Sequence, residues 1–175
     1  MADLFAHVLT GFILATAFSW RYEWLTPPLV TVAMVGATLP DLSRIDLVLP
    51  AETVSVLLGV PFSWSPLHRV GGTAAIIVIG VLLVPQRLRR EVLAMLVLGA
   101  GSHYVLDLFL YTPSGFAGAL FWPVSDVRLA VPGFYVSSDR WPAVLTTVVA
   151  LTVWLADRQH ELTGADDETI NDTEA

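Results

Sequence analysis

VLAMLVLGAGSHYVLD, residues 92–107, is the stretch on which the reading of this chain turns. An uncharged apolar run ends there in a carboxylate, and His103 stands four positions before Asp107. At the helical repeat those two side chains share one face, about one turn apart. An acid inside a membrane segment costs about 2.5–3.5 kcal/mol on insertion scales, so it implies a partner or a function. Asp107 and His103 are therefore either a hydrogen-bonded pair that fastens two helices or two ligands offered to one ion, imidazole nitrogen and carboxylate oxygen.

Working outward, other stretches free of Asp, Glu and Arg cover 4–20, 24–40, 70–86, 108–125 and 141–156. Most sit near the short end of the roughly 17–25 residues that cross a bilayer. A single soluble domain rarely carries five such helices. The sequence thus predicts an all-α integral membrane bundle of about five helices, at 3–20, 25–39, 70–86, 90–111 and 142–157. Residues 45–58 are apolar but interrupted by Glu52, and read as an interfacial helix. Between 112 and 141, Pro113, Gly115, Gly118, Pro123, Pro132 and Gly133 alternate with Phe116, Phe121, Trp122, Phe134 and Tyr135, the composition of a lid or interfacial loop.

Composition supports this reading. Apolar residues make up 55% of the 175 and charged residues 14%, against about 45–50% and 25% in soluble domains. That is too little charge to coat a globule. There is no Cys, which excludes disulfides and thiolate metal sites. Net charge is −7, but residues 157–175 hold seven acids and one Arg, so the body is nearly neutral. The expected organisation is a membrane-embedded domain over 1–157 and an acidic, disordered tail over 158–175. No basic surface for nucleic acid exists, and none is expected as a partner.

Every basic residue is Arg, and Arg87, Arg89 and Arg90 crowd the shortest connection. The positive-inside rule puts that connection in the cytoplasm. The expected location is the cytoplasmic (inner) membrane, multi-pass, with the 40–69 connection and the 112–141 loop facing outward. On that topology His7, Asp41, His68, His103 and Asp107 all arrive at the external face. The fourth histidine, His160, falls in the tail.

These residues also carry a family resemblance: His7 near the start, Gly36-Ala37-Thr38-Leu39-Pro40-Asp41, His68-Arg69 ahead of Gly71, and Gly101-Ser102-His103 with Asp107. The pattern resembles the prokaryotic membrane-bound metal-dependent hydrolases, also described as LexA-binding, inner-membrane-associated hydrolases, over about residues 3–142. That family is similar in ligand pattern to zinc-dependent phospholipase C. The resemblance implies an α-helical fold, phosphoester chemistry, and His7, Asp41, His68, His103 and Asp107 as metal ligands. The chain departs from it at Ser43 and Ala74, where the family often has Asp and His; both departures bear on a second metal.

Mixed nitrogen and oxygen ligation makes zinc the leading candidate among divalent metals. In the hydrolase reading Arg69 pairs with phosphate oxygens, and Asp41 or Asp46 takes the proton of the attacking water. A membrane lipid or lipid-linked phosphoester is the expected substrate, with the 112–141 loop as cover. Two other classes stay open: a non-catalytic metal-binding or scaffolding membrane protein, and a metal or proton carrier, although the inner halves of the third and fifth helices are almost wholly apolar.

Overall fold

The structure, a computed structural model, describes residues 4–173. Six α-helices follow in order: α1 (Leu4–Ser19), α2 (Pro27–Thr38), α3 (Ala51–Leu58), α4 (Val70–Leu82), α5 (Arg89–Leu108) and α6 (Trp141–Thr173). Three short 3-10 segments, Leu39–Leu47, Ser65–His68 and Gln86–Leu88, join them. Among the described residues there is no β-strand, only isolated bridges pairing Leu110 with Tyr135 and Phe116 with Ala130. The chain is all-α, as its composition and periodicity require.

Helix boundaries depart from the sequence expectation where backbone chemistry intervenes. The expected interfacial helix over 45–58 is split: a 3-10 segment ends at Leu47, and α3 begins only after Pro50, whose ring cannot donate the amide that a continuous helix needs. The expected start of the first helix at Asp3 lies outside the described residues, as do residues 174 and 175 of the tail. At the far end α6 continues past 157 to Thr173. By length and composition, Gln86–Leu108 is the one helix among the described residues long and apolar enough to cross a membrane; α1 and α4 are apolar but shorter.

Helix α2 lies between α1 and α5 and makes its broadest contact with α5. That crossing is a backbone contact. A Cβ on Gly36 would stand 2.6 Å from the Leu96 carbonyl oxygen, and one on Gly99 would overlap the Ala33 carbonyl oxygen. Ala33 and Ala37 are fully buried beside it. Small residues let two helices approach until dispersion and polar contacts act between main chains, the packing mode that serves where lipid removes any hydrophobic drive between helices. Outward faces are apolar and exposed instead, as at Val78 and Ile79 on α4 and Val144, Val148 and Leu151 on α6.

The two ends of the bundle differ. At one end the Trp20 indole N–H donates to Asp157 Oδ1 at 2.8 Å, tying α1 to α6. At the other end lie the start of α1, the segment after α2, the start of α4 and the end of α5. The 112–141 loop closes over this end and is fixed to it. Val70 N–H donates to Leu120 O at 2.9 Å and Gly71 N–H to Trp122 O at 3.2 Å, so loop carbonyls take the first amides of α4. Tyr111 N–H donates to Tyr135 O at 2.7 Å, and the Tyr135 hydroxyl to Leu106 O at 2.8 Å.

Because the α2–α5 crossing tolerates no side chain at its centre, Gly99→Val is expected to destabilise the detergent-solubilised protein by at least about 1–3 kcal/mol, the usual cost of overpacking. Thermal unfolding followed by circular dichroism reads this out; an unchanged midpoint would show that the crossing is looser than described.

Candidate metal centre

The last carbonyls of a helix have no intrahelical partner, and α2 ends just before Leu39-Pro40, so its terminal carbonyls are free to accept. Two histidines use this region. His103 Nδ1 lies 2.8 Å from Ala37 O, and His68 Nδ1 lies 3.0 Å from Pro40 O. A carbonyl only accepts, so in both rings the proton is on Nδ1. Both Nε2 atoms then turn to the same oxygen, Asp107 Oδ2, at 2.9 Å from His68 and 3.3 Å from His103. His7 Nε2 approaches the other oxygen, Oδ1, at 3.5 Å.

The site is thus three imidazoles around one carboxylate. His7 and His103 are buried almost completely, at 1% and 0% exposure, so water cannot rescue their ring nitrogens. Their rings stack with centroids 3.8 Å apart. If every Nε2 carried a proton, His68 and His103, whose Nδ1 atoms are already protonated, would be two imidazolium rings with centroids 5.3 Å apart. If none did, lone pairs would face carboxylate oxygens. A cation among them resolves both conflicts, since neutral imidazole nitrogens with Nδ1–H donated to a carbonyl are the usual presentation of histidine to a metal. His103 Nε2, His7 Nδ1 and Asp107 Oδ1 are buried atoms without a hydrogen-bond partner, which fits such a demand.

Two overlapping groups have ligand atoms all within 4.8 Å of one another: His7, His103 and Asp107, and Asp41, His68 and His103. All five residues read from the sequence as ligands therefore converge on one end of the bundle. Asp41 is buried, with one oxygen 3.0 Å from Arg44 Nη2 and the other 4.0 Å from His68 Nδ1. The donor set, imidazole nitrogen and carboxylate oxygen with no sulfur, suits a divalent ion such as zinc.

Burial works against charge on His68, yet Asp107, the Pro40 carbonyl and Asp41 together hold its pKa above the ordinary 6.5. Burial pushes the Tyr135 hydroxyl up to about 12, with the Asp107 charge adding to it, so this hydroxyl stays a donor to Leu106 O.

The remaining candidate residues separate. Arg69 follows His68 directly, its guanidinium 5.2 Å above the Trp122 ring, and lines a cavity shared with His68 and Asp107. Asp46 belongs elsewhere: its Oδ1 accepts the Ala51 N–H at 2.8 Å, at the start of α3, and it lines a second cavity with Arg44 and Ser63. Sequence reasoning missed the carbonyls of Ala37 and Pro40, although they sit in the very segment from Gly36 to Asp41 that it singled out. It also missed Tyr104. That phenol meets Thr73 Oγ1 at 2.6 Å, Thr73 donates to Leu67 O at 3.0 Å, and so Tyr104 is the donor of the pair. The chain steadies the turn that carries His68. No signal beyond proximity to His103 marked it.

Fold and site together describe an all-helical protein with a buried histidine and aspartate cluster at one end of its longest apolar helix. A family model for the YdjM inner membrane proteins matches residues 1–165, and the chain belongs to that family. It is accordingly a membrane protein of the prokaryotic inner-membrane type. No curated protein and no solved structure matches it.

Asp107→Asn is expected to lower zinc affinity by at least about 100-fold, beyond the roughly 10–100-fold typical of groups that only orient ligands. Asp46→Ala should leave zinc affinity unchanged and cost about 0.5–2 kcal/mol of stability through α3. Metal titration and thermal unfolding of the two variants separate ligand from cap; equal losses of metal would put Asp46 back in the centre.

Proposed function

We propose that this protein is a membrane-bound, metal-dependent hydrolase acting on a phosphoester, multi-pass, with its centre at the external face of the cytoplasmic membrane. The observation that carries the reading is the convergence of the His7, His68 and His103 Nε2 atoms on the Asp107 carboxylate, with two of those rings locked as Nδ1–H tautomers by backbone carbonyls. A pair that merely fastened helices would need one histidine and one acid. Three imidazoles and two carboxylates exceed that need.

His7, His68, His103 and Asp107 would hold the ion, with Asp41 beside them. A divalent ion bound there supplies Lewis acidity and brings the ionisation of water near neutral pH. The chain's own residues do the rest. Arg69, held over Trp122, offers its fork of donors to phosphate oxygens. Asp41, 3.0 Å from Arg44 Nη2, is placed to hold the proton released by the attacking water. The fixed 112–141 loop limits the access of bulk water to that step. Asp46 has no part in it, because its carboxylate is committed to α3.

Zinc as the metal follows from the donor set, and the external placement from the arginines at 87, 89 and 90, which mark the opposite end of α5 as cytoplasmic.

The test is metal content per chain after purification in detergent, followed by hydrolysis of a phosphomonoester, a phosphodiester and a phospholipid by the parent and by His103→Ala. Bound metal and turnover are expected in the parent, with both reduced by at least about tenfold in the variant and turnover restored to the chelated parent by zinc. Metal without turnover on any of the three would instead favour a metal-binding or scaffolding role. A metal-free parent would sink the reading.

A further inference from the structure

Beside the centre lies a cavity of about 370 Å³. His68, Arg69 and Asp107 give it charged lining, beside the hydroxyls of Ser43, Ser65, Tyr104 and Thr112. Most of its surface is nonetheless apolar, contributed by Leu108 at the end of α5, by Leu110 just beyond it and by Ala117, Ala119 and Leu120 of the loop. A phosphate group alone would leave those side chains without purpose.

The loop that forms this wall also meets the surroundings. Phe116 and Phe121 bracket the lining segment 117–120, and both are exposed, as are Trp122 and Phe134. Exposed aromatics in an inner-membrane family belong at the bilayer interface, where rings favour the headgroup level. Leu47, Val48, Val56 and Leu57 around α3 are exposed as well, each by more than three-quarters. The cavity is therefore walled by the same chain segment whose flanking aromatics are exposed.

We infer that the cavity binds the apolar chain of an amphiphilic phosphoester, so that the substrate class is a membrane lipid with a phosphate ester at the chain's polar end, rather than a water-soluble phosphate compound. This deepens the hydrolase reading and rests on it. Arg69 and the centre take the anionic phosphate, and Leu108, Leu110 and Leu120 take the first methylenes behind it.

The test uses the zinc-loaded full chain in amphipol and measures the binding of inorganic phosphate and of ethyl, butyl and hexyl phosphate by calorimetry. Each buried methylene should tighten Kd by up to about fourfold, which is the roughly 0.8 kcal/mol of a buried CH₂ at 1.4 kcal/mol per factor of ten. Hexyl phosphate should thus bind at least about tenfold more tightly than ethyl phosphate. Ala119→Trp and Gly118→Leu, which add bulk to the cavity wall, should abolish most of that gain. A Cβ at Gly118 meets nothing within 4 Å, so this second substitution starts without a clash and keeps the test open if the larger one fails to fold. Equal binding of all four probes by the parent overturns the inference while leaving the hydrolase reading intact. A chain-length gain that persists in both variants also overturns it, because the chain would then be adsorbing elsewhere. Failure of every probe, inorganic phosphate included, would bring down both.

Discussion

Two hydrogen bonds from imidazole Nδ1–H groups to main-chain carbonyls, His103 to Ala37 and His68 to Pro40, are the constraint on which the rest of the site depends. Each fixes the Nδ1–H and a ring plane at once, and each leaves Nε2 facing Asp107. The Ala37 carbonyl is available because α2 stops at Thr38, and it carries the partial negative charge of a helix C-terminus. The Pro40 carbonyl lies in the first turn of the 3-10 segment that follows. The position of the α2 end depends in turn on Gly36 and Gly99, which let α2 and α5 meet main chain to main chain; Gly99 stands one helical turn before His103 and packs beside the Ala37 that receives its proton.

Burial sets the energetic stakes of this arrangement. An unpaired polar group removed from water costs several kcal/mol in an apolar medium, and here His7, His103 and Asp41 are all buried. Ordinary helix fastening would not gather so many. A divalent ion would compensate the imidazole nitrogens and the carboxylates together with one charge centre. Arg44, at 3.0 Å from Asp41, partly balances the second carboxylate, so the two acids are not equivalent: Asp107 faces three imidazoles, while Asp41 is shared between an arginine and one histidine edge.

The loop between α5 and α6 is better understood as a fixed wall than as a free flap. Its backbone takes the leading amides of α4 through the Leu120 and Trp122 carbonyls, and its far strand of chain pairs with the end of α5. Because α4 begins directly after His68-Arg69, the same contacts hold the ligand, the cation and the cavity wall in one register. The Tyr104–Thr73–Leu67 chain of hydrogen bonds reinforces that register from inside.

How much of this was legible beforehand follows from the kind of physics involved. The apolar stretches, the shortage of charge and the isolated Asp107 determined an all-helical membrane protein, since hydrophobic patterning and helix length are local properties of the chain. The five candidate ligands were also legible, because ionisable residues in apolar surroundings stand out one by one. Sequence could not distinguish Asp46 from Asp41: both are acids in the same short segment, and only packing commits one to the start of α3 and turns the other toward His68. Nor could it show which nitrogen of each imidazole is free, where α2 ends relative to His103, or that Leu108 and Leu120, distant in the chain, wall one cavity. Those features arise from contacts between segments far apart in sequence, whose geometry no local pattern encodes and which only the tertiary structure decided.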